Sequence, residues 1–242
     1  MTNNQVAVII GAGDATGGAI ARRFAREGFT ICATRRKADA LAPLKKDIED
    51  DGGIVHTFGC DARDEDAMTA LFDRIEQDIG PVAVTVFNIG ANVRFGITET
   101  TARVYRKVWE MAAFAGFLTG REAARVMLPR RQGTIIFTGA TASLRGANGF
   151  SAFAGAKFAL RALAQSMARE LGPQGIHVAH SIIDGAIDTD FIRENFPDRY
   201  ALKAEDGILN PDHIAEQYLQ LHQQPRDAWT HELDLRPWLE TF

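Results

Sequence analysis

The chain is poor in the residues that build metal and disulfide sites. It has two cysteines in 242 residues, Cys32 and Cys60, without Cys-x-x-Cys spacing. Each closes a predicted buried strand and reads as a small core residue in a reducing compartment, a disulfide between neighbouring strands being the alternative. The six histidines are scattered. His177 and His180 share a predicted strand, but a spacing of three puts them on opposite faces, so no metal site is expected. No apolar run reaches the length a membrane span needs. Net charge is only −4, from 27 basic and 31 acidic residues, which gives nucleic acid or an anionic membrane no reason to bind. There is no repeat, linker or low-complexity tract. The polar start, Met1 to Gln5, shows no targeting segment, and a cytoplasmic protein is expected.

What is present is a globular composition, 46% hydrophobic and 24% charged, at the size of one α/β domain. Short apolar runs at Val6–Ile10, Phe29–Thr34, Ile54–Gly59, Val82–Asn88, Gly133–Thr138 and His177–Ile183 read as strands. Several are continuous rather than alternating, as in a parallel sheet covered on both faces. Helical patterns lie between them at Gly17–Glu27, Lys37–Asp50, Asp64–Ile79, Thr100–Leu128 and Gly149–Leu171. A further helix at Pro211–Gln223 precedes a last strand, His231–Leu235. This alternation predicts a three-layer, doubly wound parallel sheet with right-handed crossovers. The polar segment Thr189–Leu209 has no clear period. It follows the sixth strand, where doubly wound sheets bind ligands, and reads as a substrate lid or as a plain surface insertion.

The first strand runs into Gly11-Ala12-Gly13-Asp14-Ala15-Thr16-Gly17-Gly18 and then a helix. Such a turn lets backbone amides approach a pyrophosphate at the positive end of a helix. With this turn in the first βα unit, the chain resembles the short-chain dehydrogenase/reductase family over nearly its whole length. Gly11, Ala15 and Gly17 stand at that family's glycine positions, with Ala15 replacing the middle one and Ile10 replacing a threonine. The resemblance implies a Rossmann-type sheet in strand order 3-2-1-4-5-6-7. It also implies that Asp61, with Ala62 beside it, meets the adenine, and that Asn88-Ile89-Gly90 packs by the adenine ribose. Gly185, Ile187 and Thr189 would form the nicotinamide loop, with Asp184 at a position usually proline.

NAD-preferring relatives carry an acidic residue at the end of the second strand. Here Thr34 is followed by Arg35-Arg36-Lys37, and an arginine clamps a 2′-phosphate that a carboxylate would repel. The expected cofactor is therefore NADP(H). Asp14, at a loop position often basic in NADP-binding relatives, argues the other way, and the basic run also reads as a solvated helix start.

The resemblance places a proton-transferring tyrosine at Phe153, a carbonyl-orienting serine at Ala140 and a relay-anchoring asparagine at Ala112. Only the lysine, Lys157, is kept. Thr141, with Thr138 and Ser143 around it, and Asp184 are candidate substitutes. Thr141 would turn its hydroxyl inward, or merely satisfy backbone. Asp184 would act as a protonated acid in an apolar pocket, or be a turn residue bonding its own backbone. Tyr105 and Tyr200 are further hydroxyls to locate, the first opening the long helix and the second in the candidate lid. The readings that follow are an NADP(H)-dependent oxidoreductase with a degenerate tetrad and unknown substrate, or a catalytically silent NADP(H)-binding sensor or partner subunit. By resemblance the two long helices form a homodimer or homotetramer seam, and Arg236 and Trp238 near the C-terminus suit an interface or a pinned terminal strand.

Overall fold

The computed structural model describes residues 5–241. Seven strands form one sheet: β1 (Val6–Ile10), β2 (Thr30–Arg35), β3 (Val55–Gly59), β4 (Val82–Phe87), β5 (Gly133–Thr138), β6 (Ile176–Ile183) and β7 (Glu232–Leu235). Their order is β3-β2-β1-β4-β5-β6-β7, all parallel, as the alternation predicts. The helices are α1 (Thr16–Arg26), α2 (Ala42–Asp50), α3 (Glu65–Asp78), α4 (Ala102–Trp109), α5 (Ala115–Met127), α6 (Ser151–Leu171), α7 (Asp190–Asn195), α8 (Pro197–Ala201) and α9 (Pro211–Gln223).

Side chains alternate across the sheet and divide the core in two. Val6, Val8 and Ile10 pack with Met68 and Phe72 of α3, Leu118 of α5 and Leu160 of α6. Ala7 and Ile9 pack on the other face with Ile20 and Phe24 of α1, Ile48 of α2 and Tyr218 of α9. Local chemistry starts several helices. The Asp64 side chain accepts from the Ala67 N–H at α3, and Thr101 does the same for Val104 at α4. Asn210 caps α9 just before Pro211, whose missing N–H costs nothing in the first turn.

Three expectations are corrected. The helix expected over Lys37–Asp50 is a 3-10 turn, Ala38–Leu41, followed by α2, because Pro43 suits a helix start and not an interior. The helix expected over Thr100–Leu128 is broken by a π turn at Glu110–Phe114. A π turn brings residues five apart onto one side, and here Trp109 stacks on Phe114, which stacks on Phe117, at 6.0 and 6.2 Å. The aperiodic stretch 189–209 contains α7, α8 and a 3-10 turn at Leu202–Glu205, each too short for a 3.6-residue period to repeat. Cys32 and Cys60 are free thiols, buried and half-buried, as the reading of them as core residues expects, and the disulfide alternative fails. The β2–β3 register pairs Cys32 with His56, leaving Cys60 about 13 Å further along at ordinary strand rise, beyond disulfide reach.

Candidate active site

The turn after β1 is shaped for a close-approaching ligand. Gly11 has φ +89°, which favours glycine, and its N–H and that of Ala12 donate to the Thr34 carbonyl. A Cβ on Gly17 would stand 2.3 Å from the Gly11 carbonyl oxygen, so nothing larger fits there. Asn88 closes the arrangement: its N–H donates to the Ile10 carbonyl and its Nδ2 to the Gly11 carbonyl at 3.2 Å. The preceding Ala15 has no side chain to cap α1. First-turn amides of an eleven-residue helix thus lack a side-chain acceptor beside the glycine turn, which fits a pyrophosphate.

A pocket of about 230 Å³ opens beside this turn at the carboxyl ends of β1, β2 and β4. Gly11, Arg35, Arg36, Asp61, Ala62, Asn88, Ile89 and Gly90, all expected at the cofactor, line it. Asp14, Ala15, Thr16 and Gly17 form the adjoining turn and helix start. Lining residues not among those expected at the cofactor include Cys60, Arg63, Met111 and Ala115.

The rim charges are already partly paired. Arg35 Nη1 reaches Asp14 Oδ1 at 3.3 Å and the Ala40 carbonyl at 3.2 Å. Asp14 therefore faces an arginine across the turn. Arg63 bonds both oxygens of Asp61, at 2.9 and 2.5 Å, and its backbone N–H adds a third bond. These bonds hold the Asp61 carboxyl down to about 2. The two-residue spacing of Asp61 and Arg63 in a βα loop was the available signal for this clamp. Arg36 lines the same pocket with no ion pair among the described residues.

At the other end of the site, Lys157 is buried in α6. Its Nζ donates to the Thr138 carbonyl at 2.8 Å and the Ile89 carbonyl at 3.3 Å, tying α6 to the ends of β5 and β4. No carboxylate faces it in an ion pair among the described residues, and burial pulls the ammonium down to about 8. The Phe153 ring centroid is 5.9 Å from Nζ. Phe153 and Ala112 belong to one apolar cluster with Val108 and Ala142, and Ala140 packs against it. The structure thus brings the three positions without polar chemistry to one place.

The nearby hydroxyls are engaged. Ser143 Oγ accepts the Ala140 N–H at 3.1 Å, and Thr138 Oγ1 lies 2.9 Å from the Tyr218 hydroxyl. Thr141 Oγ1 donates to Asp184 Oδ1 at 2.5 Å, joining two candidates 43 residues apart. Asp184 is fully buried, yet its surroundings are not apolar: Arg236 lies 3.2 Å from Oδ2 and Arg145 3.6 Å from Oδ1. It is therefore neither an acid in an apolar pocket nor a turn residue bonding its own backbone. Thr189 Oγ1 accepts the Ile192 N–H and caps α7, and Ile187 bridges to Leu209. A Cβ on Gly155 would meet the Tyr105 hydroxyl at 2.7 Å, which puts that hydroxyl on the side of α6 away from Phe153. The Tyr200 ring sits under Lys203 Nζ, 5.6 Å from its centroid.

The model of the short chain dehydrogenase family matches residues 5–199. The chain belongs to the short-chain dehydrogenase family. It is similar to a short-chain dehydrogenase from Rhodopseudomonas palustris, 51% identical, with 98% of this chain and all of that one covered at TM-score 0.83. A metagenomic short-chain oxidoreductase solved with NADP is 25% identical, covering 98% of both chains at TM-score 0.84. A 7α-hydroxysteroid dehydrogenase solved with NADH and 7-oxo glycochenodeoxycholic acid is also 25% identical, covering 97% of this chain and 94% of that one at TM-score 0.88. One of these neighbours holds NADP and another NADH. Among the described residues no helix is long and apolar enough to cross a membrane.

Proposed function

We propose that this chain is an NADP(H)-dependent oxidoreductase in which Phe153 has replaced the usual proton-transferring tyrosine. The observation that carries this reading is that Ile89, which lines the pocket beside the glycine turn, also receives the buried Lys157. The glycine turn, Asn88 and the pocket at Arg36 form the adenosine half of the site, and Lys157 keeps a buried seat at the ends of β4 and β5. When bound, the nicotinamide supplies or accepts a hydride. Gly11, Gly17 and the start of α1 would hold the pyrophosphate, and Lys157 the nicotinamide ribose.

Preference for the 2′-phosphorylated cofactor rests on Arg36. Arg35 is shared with Asp14, whereas Arg36 lines the pocket with no ion pair among the described residues, its charge also acting on Asp61. The site belongs to one dinucleotide-binding domain, with residues 189–209 as a cover on the substrate side. The exposed aromatics Trp109, Phe117 and Phe158 on and beside α4–α6 support assembly through these helices as a dimer or tetramer.

Thermal-shift titration with NADPH and NADH tests the reading. Saturation near 100 times Kd stabilises a protein by about 2.7 kcal/mol. NADPH is expected to bind at least tenfold more tightly than NADH, and Arg36→Ala to erase that difference. No shift with either cofactor refutes the reading. Equal binding of both refutes only the NADP preference.

The apolar cluster of Phe153, Ala112 and Ala140 favours a second reading, a catalytically silent NADP(H)-binding protein acting as sensor or partner subunit. A positioned general acid contributes about 10²–10⁴-fold, and this cluster offers none. NADPH binding without turnover of any member of a carbonyl and enoyl panel decides for it.

A further inference from the structure

Asp184 poses a question that the family fold leaves open: what holds a fully buried carboxylate at the end of β6, beside the loop that runs from Gly185 to Thr189. The answer comes from the last residues of the chain. Arg236, with 17% of its side chain exposed, sits 3.2 Å from Asp184 and also pairs with Asp234 on β7. The Asp184 N–H donates to the Leu235 carbonyl at 2.8 Å. Immediately beyond, Pro237 packs so closely on Gly185 that a Cβ there would stand 2.7 Å from its Cδ. Trp238 Nε1 then donates to the Glu205 carbonyl at 2.8 Å, although its ring is 74% exposed. Leu239 lies against Gly207, and the Thr241 carbonyl accepts from Arg145 at 3.4 Å. In six residues the tail touches the loop after β5, the loop after β6 and the end of the 189–209 segment.

We propose that Arg236, acting through Asp184, is a positioning residue for the nicotinamide half of the site, and that residues 236–241 are the strap that holds the 184–189 loop and the 189–209 segment in place. The inference rests on the cofactor reading above. The charge logic requires the pair. Without Arg236 the fully buried Asp184 would keep only Arg145 at 3.6 Å and the Thr141 hydroxyl, so the loop depends on the tail for its nearest counter-charge. The same carboxylate receives the Thr141 hydroxyl, so the strap also orients the first residue after Ala140. Trp238 fits the role of a latch: it contributes one directed hydrogen bond and leaves most of its ring in solvent, as a contact made to open would.

Limited trypsin digestion and NADPH fluorescence titration on the full chain test this. Arg193, Arg199 and Lys203 lie in the strapped segment and are the cleavage sites to follow. Arg236→Ala is expected to speed cleavage there about tenfold and to weaken NADPH binding about tenfold. Arg236→Lys, which keeps the charge, is expected to recover most of both. The double variant Asp184→Asn with Arg236→Gln removes both charges, so it serves where the single variant fails to fold. It is expected to unfold in urea at the wild-type midpoint, to digest quickly and to bind NADPH weakly. Wild-type digestion and wild-type affinity in Arg236→Ala, or in the double variant where the single one does not fold, overturn the proposal. A wild-type protein that binds no NADPH defeats the cofactor reading instead, and digestion alone then decides whether the strap exists.

Discussion

Replacing Lys157 by methionine isolates the cost of burying its charge. The side chain is 2% exposed and its hydrogen bonds go to two carbonyls, so solvent and counter-charge do little to offset desolvation. Its ammonium falls from 10.5 to about 8 in the folded chain. At 1.36 kcal/mol per tenfold change in proton affinity, this is a penalty of about 3 kcal/mol below pH 8. Between pH 8 and 10.5 the unfolded chain binds more protons than the folded one, so stability rises with pH through that window. Below pH 8 both states carry the charge and the penalty is complete. Above 10.5 neither does and the penalty is gone. The two thiols, from pH 9, and the buried Tyr218 hydroxyl, from pH 10, titrate in the opposite sense, but they are common to both proteins and cancel in the difference. Lys157→Met also strands the Thr138 and Ile89 carbonyls, at a cost of about 1–3 kcal/mol that does not vary with pH. The assay is urea unfolding of wild type and Lys157→Met from pH 6.5 to 10.5. Relative to wild type, the variant should lose about 3 kcal/mol of advantage between pH 7 and pH 10.5. A difference that stays constant over this range refutes the argument, because it would mean that the ammonium is solvated or paired.

Two further outcomes follow from the packing and from the missing hydroxyls. A Cβ on Gly139 would stand 2.5 Å from Nε2 of His180, a sealed ring whose Nδ1 bonds Glu232 at 3.3 Å, so Gly139→Ala should cost about 1–3 kcal/mol in urea unfolding. Gly146→Ala, with nothing within 4 Å, is the control, and equal effects at the two positions would refute the packing argument. Phe153→Tyr with Ala140→Ser returns an acid and an orienting hydroxyl beside Lys157. NADPH-dependent reduction of small ketones should then rise about 10²-fold or more over wild type, measured as NADPH absorbance loss, and no gain would mean that the pocket has been reshaped as well as disarmed.

Most of the fold was legible from local pattern. Apolar runs of five to eight residues, amphipathic stretches between them and Gly11–Gly18 after the first strand were enough for a seven-stranded doubly wound sheet, because strand burial and helix faces are set by residues two, three or four apart. The candidate cofactor pocket was legible in part: the turn at Gly11 and the basic run at Arg36 follow from the strand ends, whereas Asp61 and Asn88 were expected from the family resemblance. That Phe153, Ala140 and Ala112 bring no polar side-chain atom was also readable, since a side chain without one remains so in any fold.

Pairing across long sequence distances was decided only in three dimensions. Asp184 read as a turn residue or a buried acid, because its partners lie 43 residues before it at Thr141 and in the tail at Arg236. Asp14 read as an obstacle to a phosphate, yet Arg35 of β2 stands opposite it. Cys32 lies on β2 and Cys60 just past the end of the neighbouring β3, and it is strand register that keeps them apart. The π turn around Ala112 depends on aromatic stacking five residues apart, which an α-helical period hides. The amino-acid order by itself determined which side chains carry charge, hydroxyl or neither, and which segments alternate. Which charge meets which, and whether a buried carboxylate has a counter-ion, depended on crossovers that bring the chain's last residues against the ends of β5 and β6, because electrostatic energy follows distance in space.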